Sequence, residues 1–183
     1  KYLEGEELSD AEISQGIKEA ASKGSAVFVF CGSALSNIAV TSLMDFIIDC
    51  GATPNVNPLV AGKDLEAEPM TAQVFKTIAD PYIGRLTLFR LFTGKMKVDS
   101  VIYNASKEKE EKIAQILIMT GKEQTGVPEL SAGDIAALAK LSSTSTGDTL
   151  TVKSNTNLMP PIDFPVPTLS VAIEPKSKGD EDK

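Results

Sequence analysis

The stretch from Thr71 to Asn104 decides the fold of this chain; it reads TAQVFKTIADPYIGRLTLFRLFTGKMKVDSVIYN. Short apolar runs separated by turn-forming residues occupy this stretch and continue beyond it, at 71–79, 85–93, 100–104, 112–120, 126–129 and 134–141. Short strands at such spacing are typical of a closed or sandwich-like β-domain. We therefore expect a mainly β fold, with a closed antiparallel β-barrel over residues 70–155.

The second run carries apolar side chains on both of its faces. Leu86, Leu88 and Phe92 point one way in an extended chain, whereas Phe89 and Leu91 point the other way. A strand that is apolar on both faces is covered on both faces. We therefore expect part of the outer surface of the barrel to be covered.

Residues 1–52 have an α/β pattern instead. Ser9 and Glu12 have the spacing of a capping box at the start of a helix. Ala26–Cys31 is a continuous apolar run, which predicts a strand buried on both faces, and a second helix is expected to begin near Thr41. Helix, strand, loop and helix form the closing unit of a doubly wound sheet, and one strand cannot make a domain alone.

Two segments predict linkers. Residues 53–69 combine three prolines with two asparagines and a glycine, and residues 156–167 contain Pro-Pro and Phe-Pro-Val-Pro. Residues 168–183 follow, and their apolar positions alternate over 168–174 as in a strand. We interpret 168–183 as the start of another domain that is incomplete in this chain.

Composition excludes several functions. The chain has 183 residues, no histidine and two cysteines, Cys31 and Cys50. Histidine-based catalysis and a zinc site are therefore excluded within it, and we expect no metal site. The cysteines predict reduced, mostly buried thiols of a cytoplasmic protein. No apolar run approaches the ~20 residues that cross a bilayer, so no membrane partner is expected.

Charge is unevenly distributed. The formal net charge is −7, but residues 85–122 carry +4 and the rest of the chain −11. The total argues against a protein that coats nucleic acid, and we expect no DNA partner. On composition alone, the basic segment is a solvated surface of mixed charge.

The loop Gly32-Ser33-Ala34-Leu35 follows the predicted buried strand. Open α/β sheets place their ligands at the carboxyl ends of strands, and small residues allow a ligand to approach the backbone. Taken alone, such a loop is usually only a turn between a strand and a helix.

The order of these motifs resembles the elongation factor G family of translational GTPases. The resemblance rests on several short segments in sequence, namely Lys1–Leu8, Gly32–Leu35, Ala79–Tyr82 with Gly84–Leu86, Thr93-Gly94, Val101–Asn104, Ala132–Ile135, Thr146–Leu150, Phe164–Pro167 and Val171–Lys176. It implies that the chain is a central fragment: the tail of an α/β GTP-binding domain over 1–52, the β-barrel, and the first strand of an α+β domain.

The resemblance also implies functional residues. Ser33, Ala34 and Leu35 would support a guanine base, with Gly32 making room. GTP or GDP with Mg²⁺ would bind the full-length parent, which would hydrolyse GTP on the ribosome during translocation. This chain has no phosphate-binding loop, so we expect no catalytic residue, no bound cofactor and no hydrolysis by the chain itself.

The barrel of such factors docks on RNA and protein of the small ribosomal subunit. Arg85, Arg90, Lys95 and Lys97 are the candidates for phosphate contact. For Arg90 we favour a partner within the barrel. The lysines of 107–112 alternate with glutamates, which predicts a solvated, self-paired hairpin tip.

Two further points bear on the resemblance. Asp99 stands where the family usually has glycine in a turn, and we expect it to accept a positive φ. Asp134 and Asp148 each follow a glycine, which indicates turn residues instead of paired catalytic carboxylates.

Two alternative functions remain open. The first is another ribosome-dependent GTPase, such as a ribosomal protection protein, and the second is a non-enzymatic β-barrel module.

Overall fold

The computed structural model describes residues 5–80, 83–155 and 157–174. The chain divides into two compact units between Gly62 and Lys63. The predicted motifs at Lys1–Glu4, Pro81-Tyr82 and Pro175-Lys176 lie outside the described residues.

The first unit contains two helices, α1 (Asp10–Lys23) and α2 (Val40–Cys50). The predicted capping box at the start of α1 is confirmed: Ser9 N–H donates to Glu12 Oε2 at 3.0 Å, and Glu12 N–H donates to Ser9 Oγ at 3.4 Å. Gly24 ends the helix with a left-handed φ of 62°, the conformation that glycine adopts without steric cost. None of the described helices is long and apolar enough to cross a membrane.

The prediction of a buried strand over Ala26–Cys31 is wrong. The described part of the first unit has no sheet to receive it, and the side chains of Val27 and Val29 are 93% and 85% exposed. On the opposite side, the Phe28 and Phe30 rings pack against Phe46 of α2, at centroid distances of 5.0 and 4.7 Å. An extended segment becomes a buried strand only when neighbouring strands satisfy its backbone groups. The GTPase-domain tail is therefore not confirmed.

The second unit is built from ten strands: β1 (Thr71–Asp80), β2 (Gly84–Thr93), β3 (Lys95–Lys97), β4 (Val101–Asn104), β5 (Lys109–Lys112), β6 (Ile116–Thr120), β7 (Glu123–Val127), β8 (Glu129–Ser131), β9 (Ile135–Ala139) and β10 (Thr149–Thr151). Eight of them form one sheet in the order β5-β4-β10-β1-β2-β9-β6-β7, and every pairing is antiparallel. β3 and β8 form a separate two-stranded sheet. The mainly β, antiparallel fold is confirmed.

The prediction that the sheet closes into a barrel is wrong. The two outer strands of the large sheet are β5 and β7, and they do not pair with each other. Hydrophobic alternation specifies which face of a strand is buried, but it does not specify whether the first and last strands meet. The three-residue strands β3 and β8 pair with each other instead of extending the large sheet.

One main core fills the second unit. Its largest members come from six strands and one loop: Phe89, Leu91, Met96, Ile102, Ile113, Ile116, Leu138 and Leu150. A fully buried side chain of this size contributes about 1.5–3 kcal/mol relative to exposure. The other face of β2 carries a second buried cluster, in which Leu86 and Leu117 pack with small alanines of β9. These residues lie on neighbouring strands of the same sheet, so coverage of this face by another element stays a prediction.

The segments that precede and follow the sheet in sequence each form a hydrogen bond with it. In the predicted linker 53–69, Pro54–Val56 forms a 3-10 helix, and the Leu65 carbonyl accepts a hydrogen bond from Gly94 N–H at 2.6 Å. After the sheet, Met159 N–H donates to Thr149 Oγ1 at 3.0 Å.

The predicted strand at 168–174 is absent from the structure. Its alternating side chains Leu169, Val171 and Ile173 are exposed. No described strand pairs with this segment, and an unpaired strand is not stable in water.

Candidate functional site

The loop of the predicted guanine site is closed on itself. Ser33 and Ile38 exchange both backbone hydrogen bonds, with N···O distances of 3.1 and 2.9 Å. Ser33 Oγ accepts from Ser36 N–H at 3.3 Å, and Asn37 N–H donates to the Ala34 carbonyl at 3.2 Å. The backbone and hydroxyl of Ser33 are therefore used to shape the turn.

Gly32 makes room for this turn. A Cβ at residue 32 would lie 2.8 Å from the carbonyl oxygen of Ile38, a distance that requires the backbone to move. The close approach that glycine permits here is to the loop itself. Asn37 and Ala39 have φ values of 52° and 59°, an arrangement that costs free energy for a residue with a side chain.

A shallow open pocket of about 230 Å³ lies beside this loop. It is lined by Gly32, Ser33 and Ala34 of the predicted site, with apolar side chains from the preceding segment and α2; Leu35 is fully exposed. None of the lining residues is charged. The pocket therefore offers no charged group to a phosphate or a metal ion.

Other parts of the described chain supply no metal site either. Within 5–80, 83–155 and 157–174, no three His, Cys, Asp or Glu side chains come together as a metal ion would require.

The four predicted phosphate-contact residues do not form one patch. Arg85 and Arg90 lie five residues apart on β2, so their side chains leave opposite faces of the sheet. The Arg90 guanidinium carbon lies 5.9 Å from the ring centroid of Phe92, which is a cation–π distance. Arg90 therefore has an intramolecular partner, as expected, although the partner is an aromatic ring and not a charge.

Lys95 and Lys97 lie on β3 and are both paired. Lys95 Nζ is 3.1 Å from Glu66 Oε2, and Lys97 Nζ is 2.9 Å from Glu129 Oε2. The hydrogen bond and charge of Glu66 raise the pKa of Lys95, and the hydrogen bond from Lys97 lowers the pKa of Glu129. Each pair is exposed, so the attraction within it is weak.

Two lysines of the β4–β5 hairpin have partners outside the hairpin. Lys107 Nζ is 3.2 Å from Asp148 Oδ2, and Lys112 Nζ is 3.0 Å from Asp99 Oδ1. The predicted hairpin is present, but the prediction that its charges pair with each other is wrong. Lysine side chains are long enough to reach neighbouring loops, and sequence alternation does not reveal those loops.

Asp134 and Asp148 are turn residues, as predicted. The Asp134 carboxylate accepts from Ser131 N–H at 2.9 Å, and Asp148 accepts from Ser145 N–H at 2.8 Å. Each carboxylate is three residues after its donor, which is local turn chemistry. Asp99 has a φ of 62°, so the expected left-handed turn is also confirmed.

A buried polar network was missed by the sequence analysis. Glu111 accepts hydrogen bonds from Ser142 N–H, Ser143 N–H, Ser143 Oγ and Thr144 Oγ1, at 2.6–3.1 Å. Asn104, which is fully buried, donates to Thr144 Oγ1 and Asp148 Oδ2 at 3.1 and 2.8 Å. The signal in the sequence is weak: a polar run, Ser142–Thr146, shortly after the apolar run of β9.

Comparison with known proteins gives the class of this domain. Residues 69–153 match the protein-family model Elongation factor G domain 2, and this region contains all ten strands. These residues therefore belong to the elongation factor G domain 2 family, and the resemblance inferred from the sequence is confirmed.

One solved structure extends the comparison over almost the whole chain. It is a crystal structure of a protein from Thermus thermophilus, which aligns with a TM-score of 0.70 and 26% sequence identity. The alignment covers 99% of this chain and 26% of that chain. The present chain thus spans about a quarter of the length of the protein it matches.

Proposed function

We propose that this chain is the central part of a cytoplasmic, ribosome-dependent GTPase that promotes the translocation step of protein synthesis. In this proposal, residues 70–155 dock on the ribosome and connect neighbouring domains. The observation that carries it is the match of residues 69–153 to elongation factor G domain 2. The experiment that tests it is GTP hydrolysis by the full-length gene product with and without ribosomes, in which we expect strong stimulation.

The proposed role of Gly32–Leu35 is support of the guanine base. The uncharged pocket beside the loop favours this role, because its lining suits the base and not the phosphates. GTP or GDP and Mg²⁺ would bind the full-length protein, whose phosphate contacts would come from residues outside this chain. When bound, the nucleotide supplies the phosphoryl group that is hydrolysed.

The loop can be tested separately from hydrolysis. Ala34→Glu would place a carboxylate against the base, so we expect the affinity of the full-length protein for fluorescent GDP to fall by about tenfold or more. Ala52→Glu is the matched control, because Ala52 is also exposed but does not line the pocket. If the two variants bind GDP with equal affinity, the loop is not part of the guanine site.

Docking on the small ribosomal subunit would use Arg85, Arg90, Lys95 and Lys97. We expect the two arginines to contribute more than the lysines, since Lys95 and Lys97 already pair with Glu66 and Glu129. RNA phosphates attract such side chains without regard to sequence, and salt weakens the attraction.

Sedimentation of the chain with small ribosomal subunits tests this ranking. Arg90→Gln should weaken binding and reduce the slope of log affinity against log salt by about 1. The double variant E66Q/K95Q is the matched control, because it removes one cation and its partner without changing net charge. Loss of binding only in the control would show that the ranking is wrong.

A further inference from the structure

The hydroxyl group of Ser145 receives hydrogen bonds from two cationic side chains. Lys107 Nζ lies 2.6 Å from Ser145 Oγ, and Arg85 Nη2 lies 3.5 Å from the same atom. The three residues are far apart in sequence: Arg85 is near the start of β2, Lys107 is at the tip of the β4–β5 hairpin, and Ser145 is in the loop before β10. The fold therefore brings two positive charges to one hydroxyl group.

These two contacts determine which hydrogen bond the Ser145 hydroxyl can still form. Neither an ammonium nor a guanidinium group can accept a hydrogen bond, so the Ser145 oxygen is the acceptor in both contacts. The Ser145 O–H consequently points away from both cations and remains a donor. A hydroxyl that accepts from charged donors is polarised and becomes a stronger donor.

The guanidinium of Arg85 has further N–H donors beside this hydroxyl. Arg85 is exposed, and the described part of the chain gives it no ion pair. Its carbonyl accepts a hydrogen bond from Lys140 N–H at 3.1 Å, so the exposed Lys140 is next to it on the backbone. A guanidinium presents five N–H donors in a planar fork, which suits a bidentate oxyanion.

The nearby carboxylates reduce the positive charge but do not cancel it. Asp148 Oδ2 is 3.2 Å from Lys107 Nζ and also accepts from Asn104. The carboxylate of Glu111 is directed to the amides and hydroxyls of residues 142–144. Within the described residues, neither carboxylate forms an ion pair with Arg85, whose charge therefore remains available to an anion.

We propose that Arg85, Ser145 and Lys107 form a binding site for a single phosphate-type oxyanion. Arg85 binds two of its oxygens, the Ser145 O–H donates to a third, and Lys107 contributes its charge through the Ser145 oxygen. The oxyanion is supplied either by free phosphate or by a phosphate of nucleic acid. The site does not depend on the proposed GTPase activity, because it does not use the guanine loop. Arg85 is shared with the proposed ribosome-docking residues, so a nucleic-acid ligand would rest on that part of the proposed function.

The test is a titration of the ¹⁵N-labelled whole chain with inorganic phosphate at constant pH and ionic strength, followed by NMR. We expect saturable shifts that are largest for the Ser145 and Arg85 resonances. Arg85→Gln and Ser145→Ala should each raise the Kd by about tenfold, the value expected for loss of one charge-assisted hydrogen bond. Lys23→Gln is the control, since Lys23 is exposed and pairs with Glu19 on α1; it should leave the Kd unchanged.

A second titration uses a single-stranded RNA oligonucleotide in place of inorganic phosphate. Shifts of the same resonances by RNA, reversed by phosphate, would support the site and assign nucleic acid as the source. Shifts by phosphate alone would support the site and assign a free anion. Unsaturable shifts spread over all lysines and arginines, or equal affinity in Arg85→Gln and the wild type, would overturn the proposal. Far-UV circular dichroism checks that each variant is folded.

Discussion

The side-chain amide of Asn104 donates to Asp148 Oδ2 at 2.8 Å and joins the β4–β5 hairpin to the turn before β10. The same side chain donates to Thr144 and accepts from Lys107 N–H at 3.0 Å. Asn104 is fully buried. Three polar groups therefore depend on one buried side chain.

Replacement of Asn104 by alanine should lower the free energy of unfolding by about 2–4 kcal/mol, because it leaves buried donors and acceptors without partners. Urea unfolding measured by circular dichroism gives this value. Asn155→Ala is the matched control, since Asn155 is only half-buried and its side chain bonds Thr71 at 3.2 Å and the nearby Asn157 amide. Its effect should stay below about 1 kcal/mol. Equal effects would show that the network is not central to stability.

Gly94 is a position where a methyl group should be poorly tolerated. It has a φ of 70°, and a Cβ there would lie 2.6 Å from the backbone of Met70. We expect Gly94→Ala to destabilise the domain by about 3 kcal/mol or more, from conformational strain and a backbone clash together. Gly121 has a φ of 62° with open space around it, so Gly121→Ala should cost only about 1–2 kcal/mol. Equal losses of stability in the two variants, measured by thermal unfolding, would contradict this explanation.

Removal of the Thr87 hydroxyl should stabilise the domain. The Thr87 side-chain oxygen is buried, and no hydrogen-bond partner lies within the described residues. Thr87→Val keeps the shape and removes this cost, so we expect stabilisation of about 1 kcal/mol. Thr93 is also buried, but Thr93 Oγ1 donates to the Pro69 carbonyl at 2.7 Å. Thr93→Val should therefore destabilise by about 1 kcal/mol, and calorimetry that finds the same sign for both would contradict this account.

Glu111 makes the domain sensitive to acid. Burial alone raises the pKa of its carboxyl, but hydrogen bonds from Ser143, Thr144 and the Ser142 amide together hold that pKa below its ordinary value of 4.5. A lowered folded-state pKa contributes stability that is present above the unfolded pKa and is lost as pH falls through the folded pKa. We expect this loss to begin below about pH 5.

The variant Glu111→Gln tests this pH dependence. It should be less stable than the wild type at pH 7, and the difference should shrink as the pH is lowered toward about 3. Glu19→Gln is the control: the pKa of Glu19 is lowered by Gln15 and Lys23, but Glu19 is exposed on α1. A pH-independent difference between Glu111→Gln and the wild type would exclude the carboxylate as its cause.

Local features of this fold could be predicted, because they depend on residues close in sequence. The capping box of Ser9 and Glu12 and the left-handed turn at Asp99 involve neighbouring residues, and both are present. The same holds for the two apolar faces of β2, which follow from the twofold periodicity of a strand.

Features that depend on distant partners could not be predicted. Glu111 lies in a run of lysines and glutamates that resembles a solvated surface, yet its nearest donor in sequence, Ser142, is 31 residues away. The exposure of Val27 reflects the absence of neighbouring strands in the described first unit, which its own sequence does not encode. The candidate guanine loop follows from family motifs in the sequence, whereas the hydrogen bonds between Ser33 and Ile38 depend on how the loop folds back on itself.

The most direct test of the central claim is GTP hydrolysis by the full-length gene product, measured with and without ribosomes. The account predicts that ribosomes stimulate hydrolysis by at least about tenfold, since GTPases of this kind gain their rate from groups supplied by a partner. It also predicts that an excess of the present chain reduces the stimulation by competing for the docking surface. A folded full-length protein that hydrolyses no GTP in either condition would contradict the account.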